Sequence, residues 1–410
     1  MEVVYPRCCG LDVHKKNVTA CLLTVGADGT RQKEIRTFET MTDDLLTLAD
    51  WLVTAGCTHV AMESTGVYWK PIYNLLDGAV ELLVVNAQHI KAVPGRKSDV
   101  RDAEWIADLL QHGLVRGSYI PDRPQRELRE VTRYRTALVR EQTREFNRLQ
   151  KVLEGANIKL ASVASTMTGH SVRAMLEALV AGTTDPAALA DLAQGKLRKK
   201  RPELERALAG RLGAHQRFML AEQLAHLEYL EEAITHLNEE LKVRLRPFEA
   251  ELQWLDTIPG VARVTAEIAL AELGVDMTRF PTDRHCASWS GLCPGQDESA
   301  GKRRSGKTRH GSQALRAALV QAAHGAARAK DTYLSAQYHR LAARRGKKRA
   351  AVAVAHTIIT IIYHLLRTGG TYRELGGNFF DERDREQVAR RQVARLQRLG
   401  YRVTLERVPA

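Results

Sequence analysis

Four carboxylates early in the chain are hard to account for together. Asp12 lies inside GLDVHKKNVTACLLTV, an otherwise apolar run that reads as a strand, and Glu63 closes a second apolar run in THVAMESTGVYW. Asp99 and Asp102 open KSDVRDAEWIADLL, an amphipathic helical pattern. Burying a carboxylate costs several kcal/mol unless something pairs it. Each has an ordinary explanation: a strand-end hydrogen bond for Asp12, a helix cap for Glu63, and helix-dipole complementation for Asp99 and Asp102. As a set they suit other chemistry. The spacing i, i+3 puts Asp99 and Asp102 on one helix face. With one aspartate and one glutamate from two strands, they could supply the oxygens that hold two Mg²⁺ (or Mn²⁺) ions about 4 Å apart around an in-line phosphoryl displacement.

A second constellation lies far downstream, in GLCPGQDESAGKRRSGKTRHGSQALRAALV. Lys302, Arg303, Arg304, Lys307 and Arg309 crowd a glycine- and serine-rich stretch that runs into a helix from Ala314 to Ala323. Such a run suits a solvated loop, and equally a phosphodiester whose oxygens need neutralising. A serine there could attack phosphorus if activated. Ser290, Ser299 and Ser305 are the candidates. Just upstream, TIPGVARVTAEIALAELG reads as two short helices about a Pro-Gly turn. That pattern fits a helix-hairpin-helix presenting N–H groups to phosphate, or a packed αα-hairpin.

The elements that must position these groups follow from periodicity. Strand-like runs, an ADGT turn signal making a hairpin with KEIRTFET, and helical faces alternate up to PDRPQ. The result is an α/β layer with antiparallel and parallel portions. Two long helices follow, one with Leu128, Val131, Tyr134, Leu138 and Phe146 near heptad spacing. The other carries Leu220, Leu224, Leu227, Leu230, Ile234, Leu237 and Leu241. They imply a coiled-coil-like arm whose stripes serve either a helical hairpin core or dimerisation. Between them Asp185 and Pro186 start a helix, and GKLRKKRPELER reads as a basic loop. The rest is mostly helical, ending in a charged helix from Asp381. The expected domains are 1–124, α/β; 125–250, the helical arm; 251–370, mostly helical with the hairpin at its start; and 371–410, a charged tail.

Composition narrows the class. The 410 residues exceed one compact core, and the net charge of +13 favours a polyanionic partner, nucleic acid before membrane surface. The six cysteines form no CxxC pair and read as buried thiols of a reducing cytoplasm. No signal peptide is visible at the N-terminus, and AVAVAHTIITIIYHLL is better read as a buried helix than as a membrane span.

GLDVHK, AMESTGVYW and RKSDVRDA resemble the acidic motifs of the IS110-family transposases, and GLCPG with ESAGKRRSGKTRHG resembles the transposase-20 domain of the same family. The resemblance implies an RNase-H-like (RuvC-like) N-terminal fold with a DEDD metal site formed by Asp12, Glu63, Asp99 and Asp102. It puts the nucleophilic serine at Ser299, the S-x-G-K position. It further implies donor and target DNA, a noncoding guide RNA encoded by the element, and a homo-oligomer, dimer or tetramer, working on the bacterial nucleoid in the cytoplasm. The first alternative is a RuvC-type junction nuclease that cuts with metal-activated water and forms no covalent intermediate. The second is a nucleic-acid-binding scaffold with a degenerate acidic site, which the presence of all four carboxylates argues against.

Overall fold

The computed structural model describes residues 2–26, 28–64, 66–86, 99–295 and 297–406, and only the backbone of 99–101, 297–299, 303 and 304. The chain divides into two compact units, Met1–Asp122 and Arg123–Ala410.

In the first unit, strands β1 (Arg7–Val13), β2 (Asn17–Val25) and β3 (Arg31–Glu39) precede α1 (Thr42–Thr54), β4 (His59–Glu63), α2 (Trp69–Leu76) and β5 (Glu81–Val85); α3 (Asp99–Gln111) comes last. The five strands form one mixed sheet in the order β3-β2-β1-β4-β5. β1, β2 and β3 pair antiparallel. β4 lies parallel between β1 and β5. The apolar run from Gly10 to Val25, expected as one strand, is two. The polar HKK segment turns the chain back, so that Val13 pairs with Val18. The hairpin at ADGT is present, with the Asp28 carboxylate accepting from the Thr30 N–H at 3.0 Å.

Strand alternation sorts the sheet into two apolar faces. Cys9, Leu11, Val13, Val60 and Met62 share a core with Leu45, Leu48 and Leu52 of α1. Cys8, Cys21 and Ala61 face the other way and pack against Ala103, Ile106, Ala107 and Leu110 of α3. Each fully buried leucine contributes about 1.5–3 kcal/mol.

The second unit is helical. Its two long helices, α4 (Arg123–Gly155) and α9 (Ala214–Leu245), pack on one another. Leu128 shares a core with Leu241 and Leu245, whereas Leu149 and Leu153 share another with Leu220 and Leu227. The pair is therefore antiparallel, with Leu220, Leu227, Leu230 and Leu241 of the α9 stripe buried within the chain and Ile234 and Leu237 half-buried. Tyr134, expected in the stripe, is 56% exposed, because the buried positions run through Thr132 and Arg135 instead. Between the long helices lie α5 (Leu160–Val163), α6 (His170–Ala181), α7 (Pro186–Asp191) and α8 (Arg201–Leu208). Asp185 caps α7 by accepting from the N–H groups of Ala187 and Ala188. The expected basic loop is instead a 3-10 turn, Gly195–Lys200, running directly into α8, where Arg201 pairs with Asp191 at 2.6 Å.

Next come α10 (Glu249–Asp256), α11 (Arg263–Leu273), α12 (Asp283–Trp289), a two-stranded hairpin of β6 (Asp297–Ser299) and β7 (Lys302–Ser305), α13 (Gln313–Ala326), α14 (Tyr333–Arg345) and α15 (Lys347–Thr368). The Pro-Gly turn between α10 and α11 sits tightly on α13: Gly260 has φ of 86°, and a Cβ there would lie 2.3 Å from the Ala322 carbonyl oxygen. Residues Ala266 to Leu273 of α11 are all buried, so this hairpin is a packed corner of the core. α15 is long and apolar enough to cross a membrane, yet Val354, Ile358, Ile359 and Ile362 lie at the centre of that same core. The charged tail forms two helices, α16 (Phe379–Arg383) and α17 (Arg385–Arg398), and α17 buries no residue.

Candidate active site

β1 and β4 run side by side in register Leu11↔Met62, so the next residues along, Asp12 and Glu63, are neighbours at the strand ends. Alternation turns both toward the face covered by α3, because Ala61 and Cys8 already lie on it. The direction of α3 follows from its contacts with β1. Cys8 Sγ lies 3.7 Å from the Ala107 carbonyl, while a Cβ on Gly10 would meet the Ala103 oxygen at 2.3 Å. Gly10 lies under both Ala103 and Ala107, and the N–H groups of Val4 and Tyr5, just before β1, donate to the Gln111 carbonyl at the end of α3, so the helix runs against the strand. Its first turn, with Asp99 and Asp102, therefore lies at the Asp12 end. Gly10 permits the crossing, since any side chain there would strike α3 backbone.

Asp12 is 9% exposed and shares an oxygen with His14 Nε2 at 3.1 Å. His14 was not singled out from sequence; its only signal was its place two residues after Asp12. Carboxylate oxygens are the right donors for a hard divalent cation. Among the described residues no three acidic, histidine or cysteine side chains form a group able to hold one ion. The Asp99 side chain lies outside the described residues.

The serine stretch is a β-hairpin. Ser299 pairs with Lys302 across the two-residue turn Ala300-Gly301, whose φ values of 49° and 72° are both positive, as in the tight hairpin turn with right-handed twist. Ser299 thus ends β6 at the hairpin tip; its side chain, like those of Arg303 and Arg304, lies outside the described residues. Lys302, Lys307 and Arg309 are exposed. The hairpin is tied down at its base by Gly295 N–H donating to the Lys307 carbonyl at 2.8 Å, and Arg309 N–H donating to Cys293 at 3.2 Å. Two glycines let the strands close, since a Cβ on Gly311 would lie 2.3 Å from Gly291 N. Ser290 is fully buried, and its hydroxyl donates to the Cys286 carbonyl at 2.8 Å. Ser305 Oγ accepts from the Lys307 N–H at 3.1 Å.

Sequence reasoning also passed over Glu272, a carboxylate with no exposed surface. Arg133 of α4 grips it with two bonds of 2.7 and 2.9 Å, and the Ser312 hydroxyl donates to it at 3.0 Å. Ser312 also caps α13, accepting from Leu315 N–H. The hairpin's downstream end is thereby fastened to α4 and α11.

Comparison with known proteins gives matches over both halves of the chain. A family model described as "Transposase", of the IS110 DEDD type, matches residues 9–158, and one for the "Transposase IS116/IS110/IS902 family" matches residues 252–339. A "Probable family 20 transposase" of Pseudomonas aeruginosa is 27% identical over 77% of this chain and 85% of its own length. The "Transposase for insertion sequence element IS1111A" of Coxiella burnetii is 28% identical over 78% of this chain and 79% of its own. The first match spans Asp12, Glu63, Asp99 and Asp102 and the second spans Ser299, in the order in which the chain carries them, and the chain belongs to the IS110 family of transposases.

Proposed function

We propose that the protein cuts and rejoins DNA of an insertion sequence through a covalent serine intermediate. The observation that carries this reading is the placement of Asp12 and Glu63 on adjacent strand ends, under the helix whose first turn bears Asp99 and Asp102. The strand order, with an antiparallel hairpin joined to parallel β4 and β5, supports an RNase-H-like, RuvC-type unit. In this reading Asp12, Glu63, Asp99 and Asp102 would hold Mg²⁺ or Mn²⁺, whose chemistry there would be to polarise the scissile phosphodiester. The Ser299 hydroxyl attacks phosphorus and gives up its proton to solvent. A serine–phosphate ester forms as the bond to the leaving sugar oxygen breaks, and that oxygen takes up a proton. Attack by the hydroxyl of another strand reverses these steps and rejoins DNA, with no external energy source. Lys302, Arg303, Arg304, Lys307 and Arg309 neutralise the phosphate charge.

The functional divisions are 1–124 for the acidic unit, 125–250 for the arm, 251–370 for the serine unit and 371–410 for the tail. A noncoding guide RNA selects donor and target, and the active form is a homo-oligomer at the nucleoid. The deciding experiment captures protein–DNA adducts on denaturing gels. Wild type should form one, and Ser299→Ala should bind DNA without forming one. Asp102→Asn should lose strand cleavage while melting at the wild-type temperature. Cleavage by wild type with no adduct at any time means hydrolysis by a junction nuclease.

A further inference from the structure

The second unit carries an open groove of about 1160 Å³, whose lining includes Gly311 and Ser312 just downstream of the serine hairpin. It exceeds the ~300–1,000 Å³ of small-ligand sites. Three helices wall it. α4 presents Arg133, Thr136 and Arg140 at spacing i, i+3, i+7; α13 presents Arg316, Val320 and His324 along one face; and α15 adds Lys348 from its first turn. None of the residues lining the groove is acidic. Glu272, the carboxylate bound to Arg133, is wholly buried. Among the described residues, Arg140, Arg316 and Lys348 have no carboxylate partner, whereas the arginines of the neighbouring α4–α11 contact do, as in Arg135–Glu267 at 2.6 Å. The rest of the lining is uncharged and includes the small residues Ala314, Ala317 and Ala351.

We propose that this groove is a second nucleic-acid site, which holds the phosphodiester backbone of a strand outside the reacting segment. Cations at helical spacing on facing walls match a repeating anion. An isolated anion would need one convergent cluster, whereas these basic side chains come from three separate helices and stand about two turns apart on α4 and on α13. The small apolar floor suits the sugar edges between phosphates. The inference rests on the reading of the chain as a nucleic-acid enzyme.

The test is the triple variant Arg140→Glu, Arg316→Glu, Lys348→Glu in the full chain. Its control carries the same charge change at exposed cations elsewhere, Lys151→Glu, Arg206→Glu, Lys242→Glu. Both are titrated against a fluorescein-labelled DNA duplex and a structured RNA hairpin over a salt series. The groove variant should bind at least tenfold more weakly than the control at low salt. The slope of log affinity against log salt should flatten by about 0.9 for each duplex phosphate that is no longer neutralised. Weakening on DNA alone or on RNA alone identifies the occupant, and weakening on both means a backbone site without discrimination. Equal weakening by the two triples, or an unchanged groove variant, overturns the groove while leaving the wider reading intact. Wild type that binds neither probe overturns the wider reading instead.

Discussion

Glu272 shows how a side chain without exposed surface can organise a site from behind. It joins α11 to Arg133 of α4 and to Ser312 at the head of α13. Glu272→Ala leaves Arg133, the Arg129 guanidinium at 3.9 Å and the Ser312 hydroxyl without their carboxylate. A fully buried pair broken in this way costs ~3–5 kcal/mol. Arg133 is 52% exposed and recovers hydration, so ~2–3 kcal/mol is expected. Denaturant midpoints measure it, and Glu272→Gln, which keeps an acceptor for Ser312, should lose less. Asp12 and Glu63 were visible in the sequence because each interrupts an apolar run. Glu272 was not, since it reads as one polar position in an amphipathic helix and its partner is 139 residues away. The cysteines give a separate test. Burial pushes the thiols of Cys8 and Cys286 up to about 12, and that of the half-buried Cys293 also upward. Because folding raises these values above the ordinary 9.0, the folded state keeps protons that the unfolded chain gives up. These thiols therefore withdraw stability as pH climbs from 9 toward about 12. At neutral pH an alkylating reagent should modify Cys293 first; faster labelling of Cys8 or Cys286 would contradict their burial.

At the scale of elements, Gly10 governs how the acidic face is assembled. A Cβ there would lie 2.3 Å from the Ala103 oxygen and 2.4 Å from the Ala107 nitrogen, both backbone atoms that cannot rotate aside. Gly10→Ala must therefore push α3 from β1, at about 1–3 kcal/mol for overpacking. Its first turn, with Asp102, moves with it. Strand cleavage should fall at least tenfold. Leu48→Ala empties the opposite face of the sheet at a cost of about 2–5 kcal/mol and should leave cleavage of the folded fraction near wild type. Equal losses in the two would make Gly10 a matter of stability alone. Local signals carried most of the elements: turn residues at ADGT, apolar alternation in β4 and β5, and leucine spacing in α9. They did not carry the break at His14–Lys16, because Val13 and Val18 continue the apolar pattern across it. Nor did they reveal the hairpin in the serine stretch. Its strands are three and four residues long and polar, and the positive φ of Ala300 belongs to a turn that glycine or asparagine would ordinarily announce.

For the molecule as a whole, charge is the property most directly legible in the sequence, whereas its distribution over the folded surface is not. A net charge of +13 predicts affinity for a polyanion without saying which residues meet it. Three basic regions are candidates: the hairpin with Lys302, Lys307 and Arg309, the groove bearing Arg140, Arg316 and Lys348, and the turn with Lys196, Lys199 and Lys200. Counterion release makes the salt dependence of binding a measure of how many phosphates the protein neutralises. Changing Lys302, Arg303 and Arg304 together to alanine should flatten the slope by as much as about 0.9 per phosphate on duplex DNA. The same variant should also slow adduct formation at saturating DNA, because in the proposed reaction these cations stabilise charge at the attacked phosphate as well as bind it. The groove variant should differ here: weaker binding, but an unchanged adduct rate once DNA is saturating. Rates read under saturation thus separate a region that acts on the reacting phosphate from one that only holds a strand. An unchanged adduct rate in the hairpin variant would mean that its cations serve binding alone, and would leave the charge stabilisation of the proposed reaction to a metal ion held by the carboxylates.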